Sequence, residues 1–148
     1  MDSSADRLRV VVADDDPDIR ALVRYKLAGA GCVVREVPDG EAALAAAHAW
    51  DPHLVILDVR MPRLSGLQVC RALRTDPRTG HIPVLLLSAA AGTADVAAGF
   101  AAGAAEYVVK PFRARDLLDR VVLLAAVHGP AVSPGSAPGA PRVLAGAR

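Results

Sequence analysis

Five short runs rich in Val, Ile and Leu recur along the chain, each followed by a longer stretch of helical character. They are LRVVVA (8–13), CVVREV (32–37), LVILD (54–58), VLLLSA (84–89) and YVVK (107–110). This alternation limits the fold more than any other feature of the sequence. Several of the runs are apolar at nearly every position, so both faces of the strand must be covered, as happens when helices pack on both sides of a parallel sheet. Five successive strand and helix units predict a doubly wound α/β sandwich with a five-stranded parallel sheet and five helices. Helix starts are marked by Pro17 in a first-turn position, by Asp39-Gly40 and Ser65-Gly66, and by Thr93 as a cap for the fourth helix. The fifth helix is expected from about Arg115 to Val127.

A chain of 148 residues is long enough to close one hydrophobic core without disulfides. With 17 basic and 16 acidic residues its formal charge is +1, which supplies no general attraction to nucleic acid or to an anionic membrane. Cys32 and Cys70 belong to no Cys-x-x-Cys pair, and the four histidines have no ligand spacing, so ordinary reduced thiols in a cytoplasmic setting are expected. The charged start MDSSADRLR argues against a signal peptide, and the uncharged run Val121 to Pro141 is interrupted by four prolines and cannot form a smooth membrane helix. The domain is expected over residues 8–127. The Pro, Gly, Ala and Ser-rich stretch 128–148 is expected to be a disordered tail, having too little apolar surface to offset its ordering entropy.

Ligands of such sheets bind beyond the carboxyl ends of the strands. The first run leads into Asp14, Asp15 and Asp16, and the third ends at Asp58. Asp16 precedes Pro17 and is placed to cap the helix; Asp14 and Asp15 are left to face the cleft with Asp58. Carboxylates gathered at one edge repel unless a hard cation neutralises them, and all-oxygen ligation with room for water suits Mg²⁺. A solvated acidic loop is the plainer alternative. The fourth strand reaches Ser88 and the fifth reaches Lys110, a hydroxyl and an ammonium suited to receive the oxygens of an anionic group arriving on Asp58.

VVVADDDPDIR, PHLVILDVRMPRLSG, PVLLLSA and EYVVKPF stand in the order and spacing of one family. Over about Leu8 to Val127 the chain resembles the receiver domain of bacterial two-component response regulators, which are chemotaxis-regulator-like in their flavodoxin-like fold with strand order 2-1-3-4-5. The resemblance implies that Asp58 accepts a phosphoryl group from the phosphohistidine of a histidine kinase or phosphotransfer protein. It implies that Asp15 holds Mg²⁺ directly, Asp14 largely through water, and Arg60 through its backbone carbonyl, with Ser88 and Lys110 completing the catalytic set. It also implies a cis Lys110-Pro111 bond and a switch in which Ser88 moves and Tyr107 rotates, against the plainer reading of Tyr107 as a core aromatic. By the same resemblance, exposed residues of the first helix such as Ala21 and Arg24 contribute to kinase choice.

Positions two beyond the acceptor and two beyond the hydroxyl tune acyl-phosphate lifetime in the family; here they are Arg60 and Ala90. Alanine cannot orient a water, so slow hydrolysis is expected. LLDRVVLLAAV (117–127) carries more apolar positions than one buried stripe needs, and TADVAAGFAAGAA (93–105) is almost all small. A homodimer or partner contact through the fourth helix, fifth strand and fifth helix is therefore expected, the plainer alternative being that the tail or local packing covers these faces. The reading is of a phosphorylation-dependent switch, not a metabolic enzyme, with output through protein contacts. A pseudo-receiver scaffold is the alternative. A DNA-binding regulator is expected only in a longer form, since no helix-turn-helix pattern follows. A Mg²⁺-dependent phosphohydrolase would need an acid soon after Asp58, where Val59 and Arg60 stand.

Overall fold

The computed structural model describes residues 7–128. The elements are β1 (Arg9–Ala13), α1 (Pro17–Gly29), β2 (Val33–Val37), α2 (Gly40–Trp50), β3 (Leu54–Asp58), α3 (Gly66–Thr75), β4 (Val84–Ser88), α4 (Thr93–Ala101), β5 (Glu106–Val109) and α5 (Ala114–His128). The sheet has the order β2-β1-β3-β4-β5, and every neighbouring pair is parallel. This is the doubly wound α/β architecture expected from the alternating runs.

The period of two along each strand divides the core into two layers. Val11, Ala13, Val55, Leu57, Leu86 and Tyr107 face a cluster completed by α2, α3 and α4. Val10, Val12, Ile56, Leu85 and Leu87 face the other way, against Val23 and Leu27 of α1 and Leu117 and Val121 of α5. Every residue of β3 and β4 is buried, which is why those runs carry no polar alternation. Each fully buried aliphatic side chain contributes about 1.5–3 kcal/mol relative to exposure.

The helix starts follow their caps. Asp16 accepts from the Asp18 N–H with Pro17 behind it, Asp39 accepts from Ala42, and Ser65 and Gln68 form a reciprocal capping box. The fourth helix departs from expectation. Gly92, with φ −67° and ψ 154°, is its N-cap, no side chain caps it, and Thr93 is already in the first turn. Asp95 lies in that turn, where a negative charge meets the positive end of the helix dipole. The fifth helix runs one residue further at each end than expected. Of the expected tail, residues 129–148 lie outside the described residues.

Candidate functional site

The sheet order puts β1 and β3 side by side, with the chain leaving β1 toward β2 on one flank and β3 on the other. The carboxyl ends of these two strands therefore open a cleft at the change in strand order. Asp14 follows β1 there, fully buried, and Asp58 closes β3, 6 % exposed. Asp15 is exposed beside them, and one carboxylate oxygen from each of Asp14, Asp15 and Asp58 falls within 4.8 Å of the others. Lys110, just past β5, reaches across β4's end to place Nζ 2.9 Å from Asp14 Oδ2 and 3.4 Å from Asp58 Oδ2. Its peptide bond to Pro111 is cis.

Two buried carboxylates face one ammonium, and the electrostatics reflect it. Burial, and then the neighbouring Asp14 charge, push the Asp58 carboxyl up to about 6, against the opposing pull of Lys110 and of the Arg60 N–H. For Lys110, burial works against the ammonium, but Asp14 and Asp58 outweigh it and its pKa rises. Hard oxygen donors, surplus negative charge and access from solvent at Asp15 fit a hard divalent cation. Asp14, Asp15 and Asp58 are the residues that would hold it. Arg60 shares an open cleft with Asp15, and its N–H donates to Asp58 Oδ1 at 3.3 Å.

Ser88 ends β4, buried, with Oγ accepting from the Ala90 N–H at 3.0 Å. Tyr107 is buried on β5 and donates its hydroxyl to the Ala90 carbonyl at 2.7 Å. The structure thus brings Asp14, Asp15, Asp58 and Lys110 together, and joins Ser88 to Tyr107 through the backbone of Ala90. Asp16 stands apart from this group as the cap of α1, with its own N–H donating to Asp14 Oδ1 at 2.9 Å.

Two further residues shape the site. Arg20 donates to the Asp14 carbonyl at 2.6 Å, tying α1 to the loop that carries the acids. Gly66 packs so closely that a Cβ would stand 2.3 Å from the Asp58 carbonyl oxygen and 2.9 Å from Val59 Cα. The Ser-Gly pair reads in sequence as a helix start; nothing local tells that its glycine lies against the β3 terminus.

Residues 10–122 match the family model of the response regulator receiver domain. The chain belongs to this family. As a receiver it is a part of two-component signalling. It is 39% identical over 115 residues to the DNA-binding response regulator MtrA of Mycolicibacterium smegmatis, covering 78% of this chain and 49% of that protein. It is 42% identical over 113 residues to the DNA-binding dual master transcriptional regulator RpaA of Synechocystis, covering 76% and 47%. The receiver thus spans about half the length of the curated relatives it matches. A putative response regulator from Chloroflexus aurantiacus superposes with a TM-score of 0.78 at 34% identity, covering 81% of this chain and 98% of that one. The chemotaxis response regulator CheY4 of Vibrio cholerae does so with 0.76 at 31%, covering 80% and 98%. Among the described residues, no helix is long and apolar enough to cross a membrane.

Proposed function

We propose that this receiver is a phosphorylation-dependent switch whose acceptor is Asp58. The observation that carries the reading is a nearly buried carboxylate at the end of β3, with two more carboxylates and an ammonium converging on it. A carboxylate oxygen of Asp58 attacks the phosphorus of a histidine kinase's phosphohistidine, or that of a phosphotransfer protein. The new O–P bond forms as the P–N bond breaks, and the imidazole leaves. Asp14, Asp15, Asp58 and the Arg60 carbonyl would hold Mg²⁺, which when bound would supply charge neutralisation on the phosphoryl oxygens. Lys110 adds fixed positive charge, and Ser88 donates its hydroxyl to a phosphoryl oxygen. Ser88 then releases the Ala90 N–H, and the change passes to Tyr107 through the residue they share.

In this reading the protein is a phosphoacceptor that assists its own phosphorylation and dephosphorylation, and it works in the cytoplasm. Ala21 and Arg24, both exposed on α1, contribute to kinase choice. Output passes through protein contacts at α4, β5 and α5, where a homodimer is one form of contact. Val122, Leu123 and Val127 are exposed on α5. Light scattering of both phosphorylation states at matched concentration tests the dimer, and a monomer in both removes it. A second reading, the receiver portion of a longer DNA-binding regulator, is favoured by the half-length match to MtrA and RpaA.

The test is the intact mass of the protein and of Asp58→Asn after incubation with acetyl phosphate, with and without Mg²⁺. An adduct that requires both Mg²⁺ and Asp58 is expected. No adduct on a folded protein would favour a phosphorylation-independent scaffold.

A further inference from the structure

Within α4, whose residues are all described, Gly99 alone is buried. The helix reads TADVAAGFA, so alanine is its common residue, and glycine in a helix interior is disfavoured relative to alanine. The reason for glycine here lies on the sheet face that α4 covers. A Cβ at 99 would stand 2.6 Å from Tyr107 Cδ2, 2.9 Å from Tyr107 Cε2 and 3.1 Å from Leu86 Cδ1. Leu86 and Tyr107 are register partners on β4 and β5, so their side chains share the face that α4 covers. The tyrosine ring thus occupies the volume that a methyl group at 99 would take. Its hydroxyl meets the Ala90 carbonyl, whose own residue donates to Ser88.

We propose that Gly99 is the positioning residue for Tyr107. The ring is held inward because it can lie against the bare backbone of α4, and this seat, more than the hydroxyl's single hydrogen bond, sets the balance between inward and outward tyrosine. The consequence for signalling rests on the phosphoryl switch proposed above; the seat itself does not.

The chain has two tyrosines, and Tyr25 is 76% exposed where Tyr107 is 4% exposed. Carbon-13-labelled tyrosine rings in the full chain, broadened by a soluble paramagnetic probe, therefore report Tyr107 with Tyr25 as an internal reference. In Gly99→Ala the Tyr107 signals should broaden toward those of Tyr25, and the melting temperature should fall. In a Tyr107→Ala background the same Gly99→Ala change should raise the melting temperature, because the ring is gone, the Leu86 side-chain tip can turn into the space it leaves, and the helix preference then dominates. A protected Tyr107 in Gly99→Ala, with a melting temperature raised in both backgrounds, would overturn the proposal. Tyr107→Phe keeps the ring and removes the hydroxyl: with labelled phenylalanine, the ring at 107 should stay protected, and its release would show that the hydrogen bond, not the seat, does the holding. All these measurements are made without a phosphoryl donor. Failure of acetyl phosphate to label Asp58 in the unaltered protein would therefore remove the phosphoryl switch and leave the seat result standing.

Discussion

Lys110 Nζ lies 2.9 Å from Oδ2 of the fully buried Asp14, an ion pair joining the end of β5 to the end of β1 across the cleft. Breaking a buried pair from one side strands the remaining charge. Lys110→Met should therefore lose about 2–4 kcal/mol at pH 7 without divalent ions. Mg²⁺ should restore more stability to this variant than it adds to the unaltered protein, because the ammonium no longer competes for Asp14 and Asp58. Chemical denaturation with and without Mg²⁺ measures both effects, and equal Mg²⁺ gains in the two proteins would contradict the competition. In the proposed switch, labelling by acetyl phosphate should slow by roughly 100-fold, as the fixed positive charge proposed for the phosphoryl oxygens would be lost.

Asp58 carries a stability penalty that depends on pH. Its carboxyl is raised to about 6 in the folded chain, by burial first and by Asp14 second. The folded state thus binds a proton more tightly than the unfolded chain does. The stability associated with that proton is complete below the ordinary carboxylate range and is lost as pH rises through about 6. Asp58→Asn should be more stable than the unaltered protein at neutral pH by about 1–2 kcal/mol, after allowance for solvent screening. That difference should close below about pH 4. Urea titrations across this range measure it, and a gap unchanged with pH would locate the effect elsewhere.

In the switch proposed above, alanine at 90 offers no polar group to orient an attacking water. Ala90→Glu should shorten the life of the acyl phosphate by about tenfold or more, with the rate read from loss of the intact-mass adduct. An unchanged rate would mean that this position does not reach the hydrolytic water.

Gly66 lets α3 begin against the backbone of β3. The methyl group of Gly66→Ala would meet the Asp58 carbonyl oxygen at 2.3 Å, and backbone cannot give way as a side-chain tip can. Despite the gain in helix preference, the variant should lose about 2–3 kcal/mol and label more slowly at Asp58. Stability equal to or above that of the unaltered protein would show that the β3–α3 junction yields freely.

Much of the architecture was legible because its cause is local and repeated. The run LVILD is apolar throughout, and β3 spans those five residues, all buried. Asp16, Asp39 and Ser65 cap helices as their types and following residues suggest, because a cap acts within three residues of itself. Thr93 misled for the same local reason: a good capping residue stood next to the true cap, and only the backbone angles at Gly92 decided between them. Tyr107 could be read as a switch residue or a core aromatic. It is buried in the core with its hydroxyl bonded to Ala90, a packing that the sequence around it does not encode.

The order of residues alone determined that a twice-covered parallel sheet would form and that Asp14, Asp15, Asp58, Ser88 and Lys110 would fall at strand ends, since periodicity and chain direction decide both. Tertiary structure decided the distances. Lys110 and Asp14 are 96 positions apart in the chain and meet only because β5, β4, β3 and β1 lie side by side in one sheet. Gly66 beneath Asp58 and Gly99 beneath Tyr107 look in sequence like a helix start and a weak point in a helix. Each is explained by an atom of the sheet brought against its helix, and steric exclusion of that kind exists only once the layers have packed.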